Sequence, residues 1–435
     1  MRFQRPPATP LLGCAAILVD FIGLGMIAPI LPGIVSSDAV GAILTAQYCA
    51  VVLGQVLIGA LSDCFGRRRL IVAVMAADAV LFAASGFTND VTTLIVLRLL
   101  AGLSAPVALG ISYVAAVSQH VSPAKAAFNF VLVGTSFNLG SLVGAATGGL
   151  LGPELWLPAN LVSGVIPAVV AVWALVSRDA EAPTPAKPEV PTTSTSAVKI
   201  DVAGPPRSGL RAVLTAPVYA GNLLAYVAAG IFQGSFFSLM PVAITAATAN
   251  YSEPEGAESD ADADAAPVIA AVIVAASVFQ VLSNFLLVRR SLRCFGAHGH
   301  LALFGALGAA LCAALAIVAH FAPPEATTLY LGILCALYVV AYVLSATTLT
   351  VLNQAAAKYA IRFGAPVGTV TGISRSIFSI AFGVAPAASI AAFGAAAWVP
   401  YAAMAALSAV AAAAFAFMVV RRWEDPMPRT ATRAS

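Results

Sequence analysis

The chain has 435 residues, 60% of them hydrophobic and only 9% charged, where soluble domains carry charge on roughly a quarter of their residues. The net charge of +3 is too small to mark a nucleic-acid partner, and the apolar excess leaves no room for a sizeable water-soluble domain. What fits is an all-α membrane protein with short loops.

Apolar stretches recur at roughly 11–34, 40–61, 70–88, 91–117, 128–151 and 156–176, each long enough to cross a hydrocarbon core of about 30 Å at about 1.5 Å per residue. Arg2 and Arg5 precede the first of them and no small-residue cleavage site follows, so it is expected to stay as a helix rather than be removed. Residues 1–177 thus predict an N-terminal six-helix half. From Arg178 to Gly209 the chain is rich in Pro, Thr, Ser and Ala, a composition that cannot bury a core and behaves as an extended linker. Apolar stretches then resume at roughly 217–246, 267–288, 300–321, 328–351, 366–391 and 396–420. Residues 210–435 predict a second six-helix half with a short tail, which makes twelve transmembrane helices around a central cavity.

With the N-terminus placed in the cytosol, every Lys and Arg except Arg98 and Arg375 falls on a cytosolic segment, as the positive-inside rule requires. Both termini are therefore expected to be cytosolic. Cys14, Cys49, Cys64, Cys294, Cys312 and Cys335 fall in apolar runs or cytosolic loops without paired ligand spacing, which argues against a disulfide framework or a metal site. The outer stretch from Ser252 to Asp264 holds six acids and no base, either a solvated loop or a cation-attracting vestibule. Cys64-Phe65-Gly66 and Cys294-Phe295-Gly296 each follow the second span of their half, a faint internal repeat.

An ionisable group at mid-bilayer costs on the order of several kcal/mol unless it is paired, hydrated or faces a cavity, so charges inside spans are the most informative residues. Asp20 lies near mid-depth of the first span, ahead of Pro29 and Pro32. It is a candidate for proton or substrate binding, or for a buried structural hydrogen bond. Asp78 in the third span is expected to have a structural partner. Arg98 pairs with a carboxylate or organises the cavity. Arg375 either snorkels to the cytosolic face or is a buried cation meeting an anionic substrate group or an acidic partner. Among uncharged groups, Asn138 in span five and Gln233 in span seven are placed in the cavity, with Phe232, Phe236 and Phe237 as possible apolar walls or lipid-facing rings. The four histidines, near span ends, suggest neither ligation nor catalysis.

The loop Gly59-Ala60-Leu61-Ser62-Asp63-Cys64-Phe65-Gly66-Arg67-Arg68-Arg69 resembles the signature of the major facilitator superfamily, with Cys64 in place of the usual basic residue. Asp20-x-x-Gly23 with Pro29-x-x-Pro32 is similar to the first helix of its twelve-span drug:proton antiporters, a group that includes tetracycline exporters and vesicular amine transporters. Arg98 with Gly102 matches the superfamily's intramembrane arginine motif. Gly140, Gly144, Gly148 and Gly149 resemble the antiporter motif, although Ala145 stands where that group has proline.

Physical reasons accompany these residues. Glycines allow a tight turn at the membrane face. Asp63 beside Arg67 and Arg68 can form charge-assisted contacts present in only one packing of the halves, so Gly59, Asp63, Gly66, Arg67 and Arg68 are the candidate gating loop; positive-inside anchoring is the plainer role of the arginines. Glycines four apart fit close helix packing or a pliable contact that changes during transport.

The resemblance implies a secondary active transporter of the inner membrane, exporting a small amphipathic drug or metabolite against protons by alternating access, as a monomer. No phosphate cradle for ATP, no cofactor motif and no catalytic nucleophile is found, so neither an enzyme nor a cofactor is expected. The alternatives are export of an anionic metabolite such as a carboxylate siderophore, through Arg98 and Arg375, or a non-transporting membrane receptor. The expected partners are a small-molecule substrate, protons and the lipid bilayer, with no nucleic acid.

Overall fold

A computed structural model describes residues 9–31, 34–35, 37–119, 121–151, 153–177, 209–249, 258–321 and 328–420. Pro32, the linker from 178 to 208, the first part of the acidic stretch and the basic tail beyond 420 lie outside the described residues. Among the described residues there is no strand, and the α-helices are α1 (Leu11–Ile30), α2 (Ser37–Phe65), α3 (Arg67–Ser85), α4 (Val91–Ser104), α5 (Pro106–Ser118), α6 (Pro123–Leu151), α7 (Trp156–Val176), α8 (Gly209–Leu214), α9 (Pro217–Ala249), α10 (Glu258–Ser283), α11 (Arg289–His320), α12 (Thr328–Arg362), α13 (Val367–Ala395) and α14 (Val399–Val420). Eight helical segments among the described residues are long and apolar enough to cross a membrane.

The fourth apolar stretch is not one straight helix. Pro106 disfavours the right-handed helical region for the residue before it, and Ala105 sits instead at φ 40°, ψ 57°. A left-handed alanine costs about 1–2 kcal/mol, and the strain ends α4 and begins α5 with proline at its first turn. At the start of α4, Asp90 accepts from the Thr93 backbone N–H at 2.8 Å and from its hydroxyl at 2.7 Å, satisfying a first-turn donor. The same hydrogen bonds hold its carboxyl below the usual carboxylate range. The Cys-Phe-Gly repeat marks two further breaks. Gly66 (φ 87°) separates α2 from α3, and Gly296 (φ 68°) interrupts α11; both are conformations glycine reaches without steric cost.

Helices in lipid lack a hydrophobic drive toward one another and associate by close packing. Here α1 lies along α6, α3 along α7 and α2 along α4, while α9 lies along α13 and α11 along α14. α2 also meets α13, and α6 meets α10 and α12. Two glycines of α6 lie close against α1. A β-carbon at Gly140 would stand 2.5 Å from the Leu18 carbonyl oxygen, and one at Gly144 would overlap that of Ile22. Gly148 and Gly149 lie on the last turn of α6.

Candidate functional site

Three groups of polar side chains stand out in this apolar bundle. The first joins α2 to α13. Asp63, near the C-terminus of α2, accepts from the backbone N–H of Gly368 at 3.1 Å, from that of Thr369 at 2.9 Å and from the Thr369 hydroxyl at 3.2 Å. Those amides belong to the first turn of α13, whose N-terminal donors have no partner within the helix and whose dipole favours a negative charge. Arg67 completes the arrangement with a 2.8 Å ion pair to Asp63. Glycine makes the approach possible, since a β-carbon at Gly59 or at Gly368 would overlap the other residue's carbonyl oxygen. Above this point the Ser376 hydroxyl donates to the Val52 carbonyl at 2.6 Å, extending the seam along both helices.

Arg68 does not share this role. Its Nε and Nη2 donate to the carbonyls of Ala174 and Leu175 at 2.7 and 2.9 Å. A cation at the unsatisfied C-terminus of α7 is favoured by the same dipole argument with the sign reversed. The gating set expected from the loop thus divides, with Gly59, Asp63 and Arg67 at the seam, Gly66 at the turn, and Arg68 tying that turn to α7.

The second group lies in the interior between α1, α6, α9 and α13. Asp20 on α1 is half-buried, within electrostatic reach of Arg375 on α13 and of Tyr48 on α2. It makes no ion pair or side-chain hydrogen bond among the described residues. Arg375 is 4% exposed, so it does not snorkel out of the bundle. Its guanidinium carbon lies 4.5 Å from the ring centre of Phe378 and 5.1 Å from that of Phe137, and Tyr226 on α9 lies within electrostatic reach. Phe137 in turn meets Phe21 of α1 edge-on at 5.0 Å. Beside it, Asn138 donates to its own helix at Gly134 (2.6 Å) and accepts from Tyr342 of α12 at 3.4 Å, linking α6 to α12.

Gln233 is directed elsewhere, donating to Ser345 of α12 at 3.5 Å. Phe232 lines a cavity of about 50 Å³ between α9, α11, α12 and α14, with Phe304, Ser345, Thr348 and Phe415. Phe236 packs on Tyr342 at 4.7 Å, and the Phe237 side chain lies outside the described residues.

The third group holds Arg98 and Asp78, each 2% exposed. Asp78 on α3 accepts from Ser104 at 2.5 Å, on the last turn of α4 before the break at Ala105. Arg98 on α4 donates to Asn160 of α7 at 3.4 Å and lies 5.1 Å from the centre of the Phe82 ring. Asp78 and Arg98 feel one another electrostatically. Arg98 therefore does not join Arg375 in one site; it belongs to a buried polar cluster that ties α3, α4 and α7 together. The sequence reading missed Tyr48, Tyr226, Phe137 and Phe378. Tyrosine hydroxyls inside apolar spans were the available signal for the first two.

Comparison with known proteins places this architecture. The family model described as Major Facilitator Superfamily matches residues 13–386. The chain is 32% identical over 145 residues to the class C tetracycline resistance protein of Escherichia coli, covering 31% of this chain and 36% of that one. It is 29% identical over 161 residues to the 4-hydroxybenzoate transporter PcaK of Pseudomonas aeruginosa, covering 35% of each chain. These matches span only about a third of the length of the curated relatives. Among solved structures, the human organic anion transporter MFSD10 is similar in fold, with a TM-score of 0.67 and 16% identity over 93% of this chain and 98% of that one.

Proposed function

The chain belongs to the major facilitator superfamily and is an integral, multi-pass membrane transporter rather than an enzyme; on that premise we propose that it is a proton-coupled exporter of small amphipathic molecules. It works in the inner membrane as a monomer, with twelve spans in two six-helix halves (1–177 and 210–435) and cytosolic termini. The halves rock about a shared interior. The tetracycline resistance proteins among its relatives support export.

The observation that carries this reading is Asp20, a half-buried carboxylate in the interior without an ion-pair partner among the described residues. Holding such a charge in low dielectric costs on the order of several kcal/mol, and a proton removes that cost. Protonation therefore favours one packing and ionisation the other, so the carboxyl's occupancy alternates with access to the two sides. With cytosolic termini, the Asp63 seam closes the cytosolic side, and this packing opens outward.

The test is substrate accumulation in proteoliposomes under an imposed pH gradient. Asp20→Asn keeps shape and hydrogen-bonding capacity but cannot ionise, so it is expected to abolish uphill transport while leaving downhill exchange. Uphill transport by the variant at the wild-type rate refutes the assignment.

A further inference from the structure

Among the described residues no anion makes an ion pair with Arg375. It is 4% exposed, and its Nε and Nη1 are buried without an acceptor among those residues. The charged and aromatic groups placed near it among the described residues are Asp20 on α1, Phe137 on α6, Tyr226 on α9 and Phe378 on its own helix. Tyr226 donates its hydroxyl proton to Asn353 at 2.8 Å, and its oxygen receives no hydrogen bond from the Arg375 Nε or Nη1. Among the described residues Asp20 is the acid that interacts with it electrostatically, and the two are not in ion-pair contact.

The rings do not replace an acceptor. Cation–π attraction acts through the ring faces, whereas the N–H donors of a guanidinium lie in its own plane. Phe137 and Phe378 therefore flank the group while its Nε and Nη1 stay without an acceptor among the described residues. A buried cation left in this state is costly, and it persists only where the surrounding packing enforces it. A buried cation with unpartnered N–H donors and aromatic walls between helices is complementary to a ligand that brings its own negative charge on a flat apolar body.

We propose that Arg375 is the substrate-charge site and that the substrates are small organic anions, a carboxylate or similar acidic group carried on an aromatic or compact apolar body. The acidic group accepts from the Arg375 N–H donors, and the body lies against Phe137, Phe378 and Phe21. The proposal rests on the interior between α1, α6, α9 and α13 being the substrate path, and it fixes the charge class that the transport reading leaves open.

Equilibrium binding to the purified full-length protein tests it with three probes that share one ring system: 1-naphthoate, neutral 1-naphthamide and cationic 1-naphthylmethylammonium. Wild type is expected to bind naphthoate at least about tenfold more tightly than naphthamide, the effect of charge-assisted hydrogen bonds in a desolvated site, and the ammonium most weakly. Arg375→Gln is expected to bring naphthoate and naphthamide within about twofold of each other, with naphthamide affinity kept as the sign of an intact fold. If that variant does not yield folded protein, Arg375→Lys decides. Its point charge lacks the planar fork, so the preference for naphthoate should fall at least about threefold.

Equal naphthoate affinity in wild type and Arg375→Gln, an unchanged preference in Arg375→Lys, preference of wild type for the ammonium, or undetectable naphthoate binding overturns the proposal. Failure of this proposal is separable from failure of the exporter reading. Arg375-dependent naphthoate binding without pH-driven transport removes the coupling and keeps the anion site. Uphill transport that depends on Asp20 and accepts only cationic compounds removes the anion site and keeps the coupling.

Discussion

Replacing Asp63 by Asn should open the α2–α13 seam. The carboxylate accepts four hydrogen bonds, from two first-turn amides of α13, the Thr369 hydroxyl and Arg67. The Asn amide keeps one acceptor oxygen, presents N–H where donors already converge, and has no charge for the helix dipole or for Arg67. A hydrogen bond to a charged group contributes about 1.5–3 kcal/mol and a charge at a helix end about 0.3–2 kcal/mol. Because the residual amide recovers part of this, a net loss of about 2–3 kcal/mol is expected. That moves the ratio of closed to open seam by roughly 30- to 150-fold. Cys64 is exposed near the end of α2 and Phe363 is 36% exposed at the turn before α13. Spin labels on Cys64 and on Phe363→Cys, with the other cysteines replaced, report the separation of the two ends by pulsed dipolar spectroscopy. Asp63→Asn should add or enlarge a long-distance population and slow turnover at matched protein level. An unchanged distance distribution with unchanged turnover refutes the clasp and leaves the loop a purely topological role.

Two other perturbations address the remaining contacts. Gly144→Leu places a side chain against the backbone of α1 at Ile22 and Met26; overpacking of this kind costs about 1–3 kcal/mol, so a lower thermal midpoint and reduced transport are expected, with Gly144→Ala milder. Wild-type transport by the leucine variant would show that α1 and α6 need not approach so closely. Arg98→Met strands Asp78 without its cation, and a loss of about 2 kcal/mol is expected, below the range for a contacting buried pair because the two do not touch directly. Adding Asp78→Asn should restore part of the midpoint, and a double variant less stable than Arg98→Met alone would argue against the coupling.

What could be read in the sequence was what depends on local composition. Apolar runs fall on helices because lipid demands internal hydrogen bonding from each segment by itself, and Asp20 and Arg375 stood out because charge within such runs is expensive wherever it points. Pro106 was a visible cue for the break after α4, but it sits inside a continuous apolar run and was absorbed into a single span. Partners distant in the chain were out of reach. Asp63 meets amides 305 and 306 positions away, and nothing near Arg68 indicates that its target is the end of α7 rather than Asp63. Arg98 and Arg375 look alike as lone cations in apolar spans, and each has a nearby acid and an aromatic ring, yet Arg98 donates to the Asn160 amide while Arg375 Nε and Nη1 have no acceptor among the described residues, a difference made by helix packing.

The two glycine turns are alike in backbone and opposite in charge. Counting back three residues from Gly66 reaches Asp63; counting back three from Gly296 reaches Arg293, an exposed side chain whose sign would repel the amino end of any helix brought against it. Among the described residues the carboxylate fastener stands at the first bend and a cation at the second. In the proposed cycle Asp63 is one place where the balance between the two packings can be reset without altering Asp20, Arg375 or the rings around them. In the proposed cycle the clasp on the first turn of α13 governs speed and Arg375, about two turns further along the same helix, governs selectivity.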